Sequence, residues 1–561
     1  MPGEAVTLQL GHYSGCVGAH WWGLQAAALR GPTEPAELRA SALLRPGRGP
    51  GGTETPSPRL VALELKGGVG ALTLDGVSAE APVPWDGAVA DYRDAPRDSG
   101  NRDSGNRAGD AACDGKGGPG AAVPGAAPTG SQDPPSVRLW SDYLNVPLHP
   151  RSVHVIRQYL HDGDCGCLEA FAQGESLLQD PACVEELEDR LHFFVEECDY
   201  LQGFQVLCDL HNGFSGVGAK VTELLHDEYS GKGILSWGLT PATSDVGDPQ
   251  SSFYRLLNTA LGIVHLSQHS SLFCPLSLSG SLGIRPRPPV TFPYIKYDAS
   301  LNYHSSAVLA AALDTLTVPY RLWSSQGSMV HFADSLTFSG RKVVAAWASL
   351  PFPAFAGSSL PEILSAHQQD VPWKLLLSSW REQKVSCCFA QSVVLRGVCK
   401  ERPSSSSLGQ QPRTPLQGCE SPEEMLQHYL HTHFPGSFST AHVLQQPCDT
   451  RPPFPQFFSP LLTRQGFLQD KALGHSLAGP NRAVQSIPVL AALQASPVLH
   501  QLLSGLWRDL RAWNVRRWSS FFTAGLEHDD FQQALEELKT LSQCYEMGFG
   551  GDGSEDEADS D

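Results

Sequence analysis

A glycine-rich turn between a predicted strand and a predicted helix constrains the fold of this chain most. The segment 212–218 reads Asn-Gly-Phe-Ser-Gly-Val-Gly, between an apolar run at 204–210 and an amphipathic pattern at 219–229. α/β folds use such turns to hold phosphate, because backbone N–H groups and a helix N-terminus both favour an anion. Phe214 is large, however, and the Lys-Ser or Lys-Thr pair of a P-loop does not follow. The sequence therefore predicts an α/β fold and leaves open whether this turn binds a nucleotide.

Strand patterns around this turn indicate a parallel sheet. Apolar runs at 6–10 and 59–65 read as buried strands, and another at 233–239 follows the helix at 219–229. Gly231 separates that helix from the strand, and glycine commonly ends helices. A strand, a helix and a second strand at this spacing form a right-handed parallel unit.

Periodic apolar residues predict further elements. Helical spacing marks 184–198, 305–316, 499–510 and 531–545, and strands are predicted at 342–347 and 391–396. Ser496 is expected to cap the third of these helices, with Pro497 at its first position. Asp529 or Asp530 is expected to cap the fourth.

Length and charge narrow the class of protein. A chain of 561 residues is too long for one compact core, so two or three domains are expected. The net charge of −19 argues against a nucleic-acid partner, because phosphate binding needs a basic surface. No signal-peptide pattern and no apolar run long enough to span a bilayer is found. We expect a cytosolic protein with mostly reduced cysteines, whose membrane association is peripheral and mediated by a partner.

Other chemical sites are weaker candidates. The segment 213–217 has a serine between a strand and a helix, as in a hydrolase nucleophile elbow, but valine stands where that motif needs its last glycine. His161, Cys165 and Cys167 could ligate a metal, but no second cluster completes a four-ligand site. The glycines at 67–70 lack the last glycine of a dinucleotide fingerprint. We therefore predict no catalytic residue and no metal site.

Five segments, in order along nearly the whole chain, resemble the tubulin/FtsZ superfamily and, within it, the misato family. The first resembles tubulin's opening LQ-x-GQCGNQIG-x-x-FW, the second its PRA-[VI]-LVDLE strand, and the third LQGF with the GGGTGSG loop. The fourth resembles the IFRG strand of tubulin's second domain, and the fifth resembles the WYTGEGM region before a helix and an acidic tail. In this chain the segments are 8–22, 58–65, 201–218, 394–397 and 522–527.

The resemblance implies a tubulin/FtsZ-like α/β fold. It comprises a Rossmann-like parallel-sheet N-terminal domain, a mixed-sheet α+β second domain and a C-terminal helical hairpin. Residues 91–135 are rich in Gly, Ala, Asp, Arg and Pro and are expected to be a disordered insert. The expected N-terminal domain consists of residues 1–90 and 136–318. The expected second domain consists of 319–399 and 423–480, which are joined by a linker at 400–422. C-terminal helices are expected at 481–548, followed by an acidic tail at 549–561.

Departures from tubulin's pattern imply that its GTPase chemistry is lost. The phosphate loop GQCGN reads Gly-His-Tyr-Ser-Gly at 11–15, and Lys66 replaces the second acidic residue beside a Mg²⁺ site. The catalytic loop LNADL reads Leu-Trp-Ser-Ser-Gln at 322–326, and its Ser325 cannot act as the carboxylate general base. We expect a protein that is not an enzyme and needs no cofactor. Residual GTP binding would use Gly11, Gly213, Gly216 and Gly218.

Resemblance to the misato family also implies a role in mitochondrial distribution and morphology. The chain is expected to promote mitochondrial fusion and network formation as a non-catalytic scaffold. It would lie in the cytoplasm and at the outer mitochondrial membrane, where its partners would be the fusion machinery. Two alternatives stay open: a divergent GTP-binding switch, and a tubulin-folding or microtubule-associated factor that contacts tubulin or a chaperonin.

Overall fold

The structure is a computed structural model that describes most of the chain. The described residues are 3–29, 37–48, 54–74, 137–162, 166–242, 249–280, 282, 288–324, 327–377, 387–398, 415–469, 483–512, 521–522 and 525–546. The insert predicted at 91–135, the tail predicted at 549–561 and most of the linker predicted at 400–422 lie outside them.

A parallel sheet of six strands organises the described residues of the N-terminal domain. Its strands lie in the order β5-β4-β1-β6-β7-β8, and every neighbouring pair is parallel. The strands are β1 Glu4–Leu10, β4 Leu60–Lys66, β5 Val153–Leu160, β6 Leu201–Asp209, β7 Gly233–Thr240 and β8 Leu272–Ser277, while β2 Leu44–Arg48 and β3 Glu54–Pro58 form a separate hairpin. The three strands expected at 6–10, 59–65 and 233–239 are confirmed.

Two hydrophobic cores cover the two faces of this sheet. Alternate residues of β4 enter different cores, since Val61 and Leu63 pack in one and Leu60 and Ala62 in the other. Strands buried on both faces read as continuous apolar runs, as is usual in α/β folds. The helices around the sheet are α1 His12–Ala28, α2 Phe171–Leu177, α3 Pro181–Glu196, α4 Phe214–Glu228, α5 Pro249–His269 and α6 Asn302–Leu316.

A mixed sheet forms the second domain. In the described residues it has five strands in the order β10-β9-β15-β11-β12, of which only β11 and β12 run parallel. These are β9 Ala345–Ser349, β10 Lys374–Leu375, β11 Ala390–Arg396, β12 Phe438–Leu444 and β15 Val489–Ala495, and β13 Cys448–Asp449 pairs with β14 Ser486–Ile487. The helices are α7 Met329–Thr337, α8 Leu360–Ala366 and α9 Pro422–His433.

Helix α6 lies between the two domains. It packs against α1 on one side and against β15 and β11 on the other. Its residues from Ser305 to Leu316 are all buried, and alanines at 307 and 310–312 allow close approach of the neighbouring elements. The helix predicted at 305–316 is confirmed, and it supplies the buried carboxylate of Asp314 to the domain boundary.

Among the described residues near the end of the chain, two long helices pack together, as the resemblance implies. Helices α10 Val498–Ala512 and α11 His528–Gln543 pack against each other and against α5. Tyr545, just beyond α11, is buried and joins them to the second domain, because its hydroxyl bonds both the N–H and the carbonyl of Val343. Throughout the described residues, every helix is too short or too polar to cross a membrane.

Several predicted boundaries are wrong. Neither Asp529 nor Asp530 caps α11: both lie in its first turn, where carboxylates favour the helix dipole, and Glu527 precedes the helix without a side-chain cap bond. The Ser496 hydroxyl is buried and has no hydrogen-bond partner among the described residues, so it does not cap α10. Helix α4 begins at Phe214 instead of 219, so most of the glycine-rich segment is helical.

Candidate functional site

The four glycines predicted to hold a nucleotide lie at the same edge of the parallel sheet. Gly11 follows β1, and Gly213 precedes α4 just after the neighbouring strand β6. Gly216 and Gly218 lie in the first turns of α4. The carboxyl edge of a parallel sheet is where α/β folds bind ligands. Gly11 has a φ of 105°, a conformation that favours glycine.

A buried carboxylate lies at the N-terminus of α1. Asp209, the last residue of β6, is fully buried and accepts the backbone N–H groups of Tyr13 at 3.0 Å and Ser14 at 2.7 Å. An added Cβ on Gly11 would lie 2.6 Å from the Asp209 Oδ2 atom. The protein therefore places its own carboxyl oxygens on the N–H groups that a helix N-terminus offers to a phosphate.

The electrostatics of Asp209 follow from its depth. Burial raises the pKa of its carboxyl, the two N–H groups from Tyr13 and Ser14 lower it, and Glu64 adds to the rise, with a result of about 7. Burial outweighs the hydrogen bonds because the charged form loses more solvation than two N–H groups restore.

The glycines at the start of α4 serve close packing against α2 and β6. Backbone meets backbone here: an added Cβ on Gly174 of α2 would lie 1.9 Å from the Gly213 carbonyl oxygen. The Gly213 N–H itself donates to the Leu168 carbonyl at 3.0 Å. An added Cβ on Gly213 would lie 2.7 Å from Leu168 Cγ, and one on Gly216 would lie 2.0 Å from the Phe171 carbonyl oxygen. On Gly218 it would lie 2.4 Å from Cys208 Sγ.

Substituting Gly216 with alanine tests this packing role. We expect Gly216→Ala to lower the free energy of unfolding by about 1–3 kcal/mol or more, because the Cβ meets a carbonyl oxygen that cannot rotate away. Gly505→Ala in α10 is the matched control, since no atom lies within 4 Å of its added Cβ. That variant should gain about 0.5–1 kcal/mol from helix propensity. Urea unfolding of both variants measures the difference, and equal effects would contradict the packing role.

A second group of polar side chains lies near Asp209, on β4, at the start of α1 and just after β5. The buried Glu64 carboxylate lies 3.2 Å from His12 Nδ1 and accepts the Trp140 indole N–H at 2.9 Å and the Leu65 backbone N–H at 2.9 Å. The rings of His12 and His161 lie 4.0 Å apart between centroids. His12, Glu64 and His161 each offer one atom that could bind a metal ion, and these three atoms lie within 4.8 Å of one another.

The two histidines of this cluster differ in basicity. Burial by itself lowers the pKa of His12, but Cys16 and Glu64 outweigh it and raise the pKa to about 11. Burial and the neighbouring His12 both lower the pKa of His161. His12 therefore holds a proton against Glu64, and His161 is neutral at pH 7.

Other positions singled out from the sequence are exposed, half-buried or outside the described residues. Lys66 ends β4 and is exposed, so its charge is solvated. Trp323, in the segment that resembles tubulin's catalytic loop, has 68% of its surface exposed. Ser325 and Cys165 lie outside the described residues, and Cys167 is half-buried.

Sequence reasoning missed Asp209, Glu64 and the ligand-type pairing of His12 with His161. One signal was available: the run at 204–210 contains a single acidic residue, Asp209, immediately before the turn. A lone carboxylate at the end of a buried strand needs a partner, and the nearest helix N-terminus is an obvious one.

The chain matches known families over most of its length. Residues 3–110 match the Misato Segment II tubulin-like domain, and residues 129–322 match a Tubulin domain. The chain is 49% identical to Protein misato homolog 1 of Homo sapiens over 97% of this chain and 98% of that protein. It is 42% identical to the Danio rerio protein of the same name over 99% of each chain, and 28% identical to Protein misato of Drosophila melanogaster over 97% and 98%.

These matches and the two sheets confirm the expected tubulin-like α/β fold. The coverage extends beyond the glycine-rich turn to both domains and the closing helices. The chain belongs to the misato family of tubulin-like proteins.

Proposed function

We propose that this protein is a non-catalytic tubulin-like scaffold that regulates mitochondrial distribution and morphology and promotes fusion of the mitochondrial network. It would act from the cytoplasm, held at the outer mitochondrial membrane by protein partners of the fusion machinery. The observation that carries the non-catalytic part is the Asp209 carboxylate on the N-terminus of α1.

The Asp209 carboxylate disfavours a nucleotide in two ways. It uses the N–H groups of Tyr13 and Ser14, which are the donors a phosphate would need. When ionised, it also places a negative charge in a buried position next to the incoming phosphate. The residues present therefore fit a self-contained structural core better than GTP with Mg²⁺.

The sequence of the catalytic-loop segment supports the same conclusion. Tubulin's loop supplies a carboxylate that activates water on a neighbouring subunit, and residues 322–326 contain none. A serine hydroxyl is far too weak a base at pH 7 to replace it. We propose that the fold is retained for its surfaces.

The mitochondrial part of the proposal comes from membership of the misato family. The relatives carry the name misato, and their names state no organelle. The net charge of −19 argues against a nucleic-acid partner, and in this proposal the faces of the tubulin-like body bind proteins. If the protein is instead a tubulin-folding or microtubule-associated factor, its partner would be tubulin or a chaperonin.

Nucleotide titration tests the non-catalytic part. We expect the purified full-length protein to show no saturable binding of GTP with Mg²⁺ up to millimolar concentration, and no phosphate release above buffer. Isothermal titration calorimetry and a phosphate-release assay measure these, with tubulin as the positive control. Asp209→Asn removes the charge, and any GTP binding should be stronger in this variant than in the wild type. Mg²⁺-dependent micromolar binding by the wild type would favour the GTP switch instead.

Cell localisation tests the mitochondrial part. In cells depleted of the endogenous protein, the tagged full chain should surround mitochondria, be removed by protease added to intact mitochondria, and restore a fused network. Asp209→Asn and the wild type should restore the network equally if no GTPase chemistry is needed. A uniformly nuclear or secreted signal would rule out this role, and co-sedimentation with microtubules without mitochondrial signal would favour the tubulin-related alternative.

A further inference from the structure

We propose that His12, Glu64 and His161 form a binding site for a divalent transition-metal ion, with Zn²⁺ as its natural probe. The three residues come from separate elements: His12 begins α1, Glu64 lies in β4, and His161 follows directly after β5. The proposal concerns binding, and it is independent of the mitochondrial role proposed above.

The spacing of the ligand atoms fits such an ion. Zinc binds imidazole nitrogen and carboxylate oxygen at about 2.0–2.2 Å, so tetrahedral ligands lie roughly 3.3 Å from one another. The His12 Nδ1 to Glu64 Oε2 distance is already 3.2 Å. All three ligand atoms lie within 4.8 Å of one another, so side-chain movement has to bring the wider pairs closer together when an ion binds. The ion would take the place of the proton shared between His12 and Glu64.

Surrounding groups hold the ligands in position. The Trp140 indole and the Leu65 backbone N–H donate to different oxygens of Glu64, which fixes the plane of its carboxylate. Gly68 packs directly on this carboxylate, because an added Cβ there would lie 2.6 Å from Glu64 Cδ. The His161 backbone N–H donates to the Lys66 carbonyl at 3.0 Å, which ties the third ligand to the same strand. Such supporting bonds are typical of metal sites.

The donor set selects the class of metal. Two imidazoles and one carboxylate suit Zn²⁺ or Fe²⁺, whereas Mg²⁺ prefers oxygen ligands alone. The donor set therefore differs from that of the Mg²⁺ site implied by the resemblance to tubulin. The side chains of His12 and His161 keep 13% and 20% of their surface exposed, so an ion can enter from solvent and retain a water ligand.

Metal titration of the full-length protein tests the proposal. After removal of metals with a chelator, the wild type should bind one Zn²⁺ per chain at this site, with a rise in melting temperature of a few degrees at saturation. His161→Ala should weaken that binding at least tenfold and remove the rise. His192→Ala is the matched control, because His192 is a more exposed histidine that also pairs with a glutamate, Glu228. It should bind like the wild type.

The half-buried His161 carries the test because its variant should fold, which circular dichroism checks. Glu64→Gln is the second variant and should weaken Zn²⁺ binding similarly if folded. Co²⁺ bound to the wild type should show visible absorption bands of a low-coordinate site that His161→Ala lacks. Unchanged stoichiometry and affinity in His161→Ala, absence of saturable Zn²⁺ binding in the wild type, or equal affinity for Mg²⁺ would each overturn the proposal.

Discussion

Replacing Asp314 with alanine is expected to lower the free energy of unfolding by about 3–5 kcal/mol, because it leaves two buried arginines without their shared carboxylate. Asp314 Oδ1 accepts a hydrogen bond from Arg321 Nη2 at 3.0 Å, and Asp314 Oδ2 forms an ion pair with Nη1 of Arg396. Gln25 of α1 also donates to Oδ1. Asp314 is 3% exposed and both arginines are 1% exposed. Since Arg396 belongs to β11, the variant should loosen the contact between the two domains.

Asp334→Ala on helix α7 is the matched control, because Asp334 is exposed. It should change stability by less than about 0.5 kcal/mol. Urea unfolding followed by tryptophan fluorescence and by circular dichroism measures both variants. An effect of Asp314→Ala no larger than that of the control would contradict the structural role of the pairing.

The same pairing has a consequence at low pH. Burial by itself raises the pKa of Asp314, but Arg396 and Arg321 outweigh it and hold the pKa below its usual range. A group with a lowered pKa in the folded state stabilises the fold above its unfolded pKa and loses that contribution as the pH falls through the folded value. The domain boundary should therefore weaken only in acid.

Asp209 is expected to show the opposite pH dependence. Its pKa is raised from 3.8 to about 7, so between these values the folded state holds a proton that the unfolded chain releases. The free energy of unfolding then falls as the pH rises through this window. Because one pKa unit corresponds to about 1.4 kcal/mol, the wild type should lose roughly 3–4 kcal/mol between pH 4 and 7 relative to Asp209→Asn, which has no titrating group there.

The measurement is urea unfolding of the wild type and Asp209→Asn at several pH values, taking the difference so that other titrating groups cancel. Asp142→Asn is the control, since Asp142 is an exposed carboxylate that also accepts two backbone N–H groups, from Arg138 and Leu139. A flat difference for Asp209→Asn, or the same slope for both variants, would show that burial does not govern this carboxyl.

The elements of this fold could be predicted from the sequence wherever burial follows local periodicity. The helices expected at 305–316 and 499–510 correspond to α6 and α10, and the apolar runs became strands of the parallel sheet. The predicted strand at 342–347 is displaced, since β9 begins at Ala345. One boundary prediction failed at Phe214, where α4 starts between glycines that pack closely against α2.

The candidate site could be predicted only in part. The order of motifs indicated the tubulin-like ancestry, and the structure places Gly11 and Gly213 at one edge of the sheet. Whether these glycines bind the phosphates of GTP stays a prediction. The Asp209 contact joins residues 195 and 196 positions apart, and the His12–Glu64 contact joins residues 52 apart. No local pattern signals such pairs, because they arise only when parallel strands bring their carboxyl ends together.

By itself the sequence determined the family and the class of fold, because these depend on which residues stand in which order. Only the tertiary structure decided what lies at the start of α1. There a carboxylate from β6 meets the backbone N–H groups of Tyr13 and Ser14. The physical reason is that an anion and a helix N-terminus attract each other wherever folding places them together, whatever their separation along the chain.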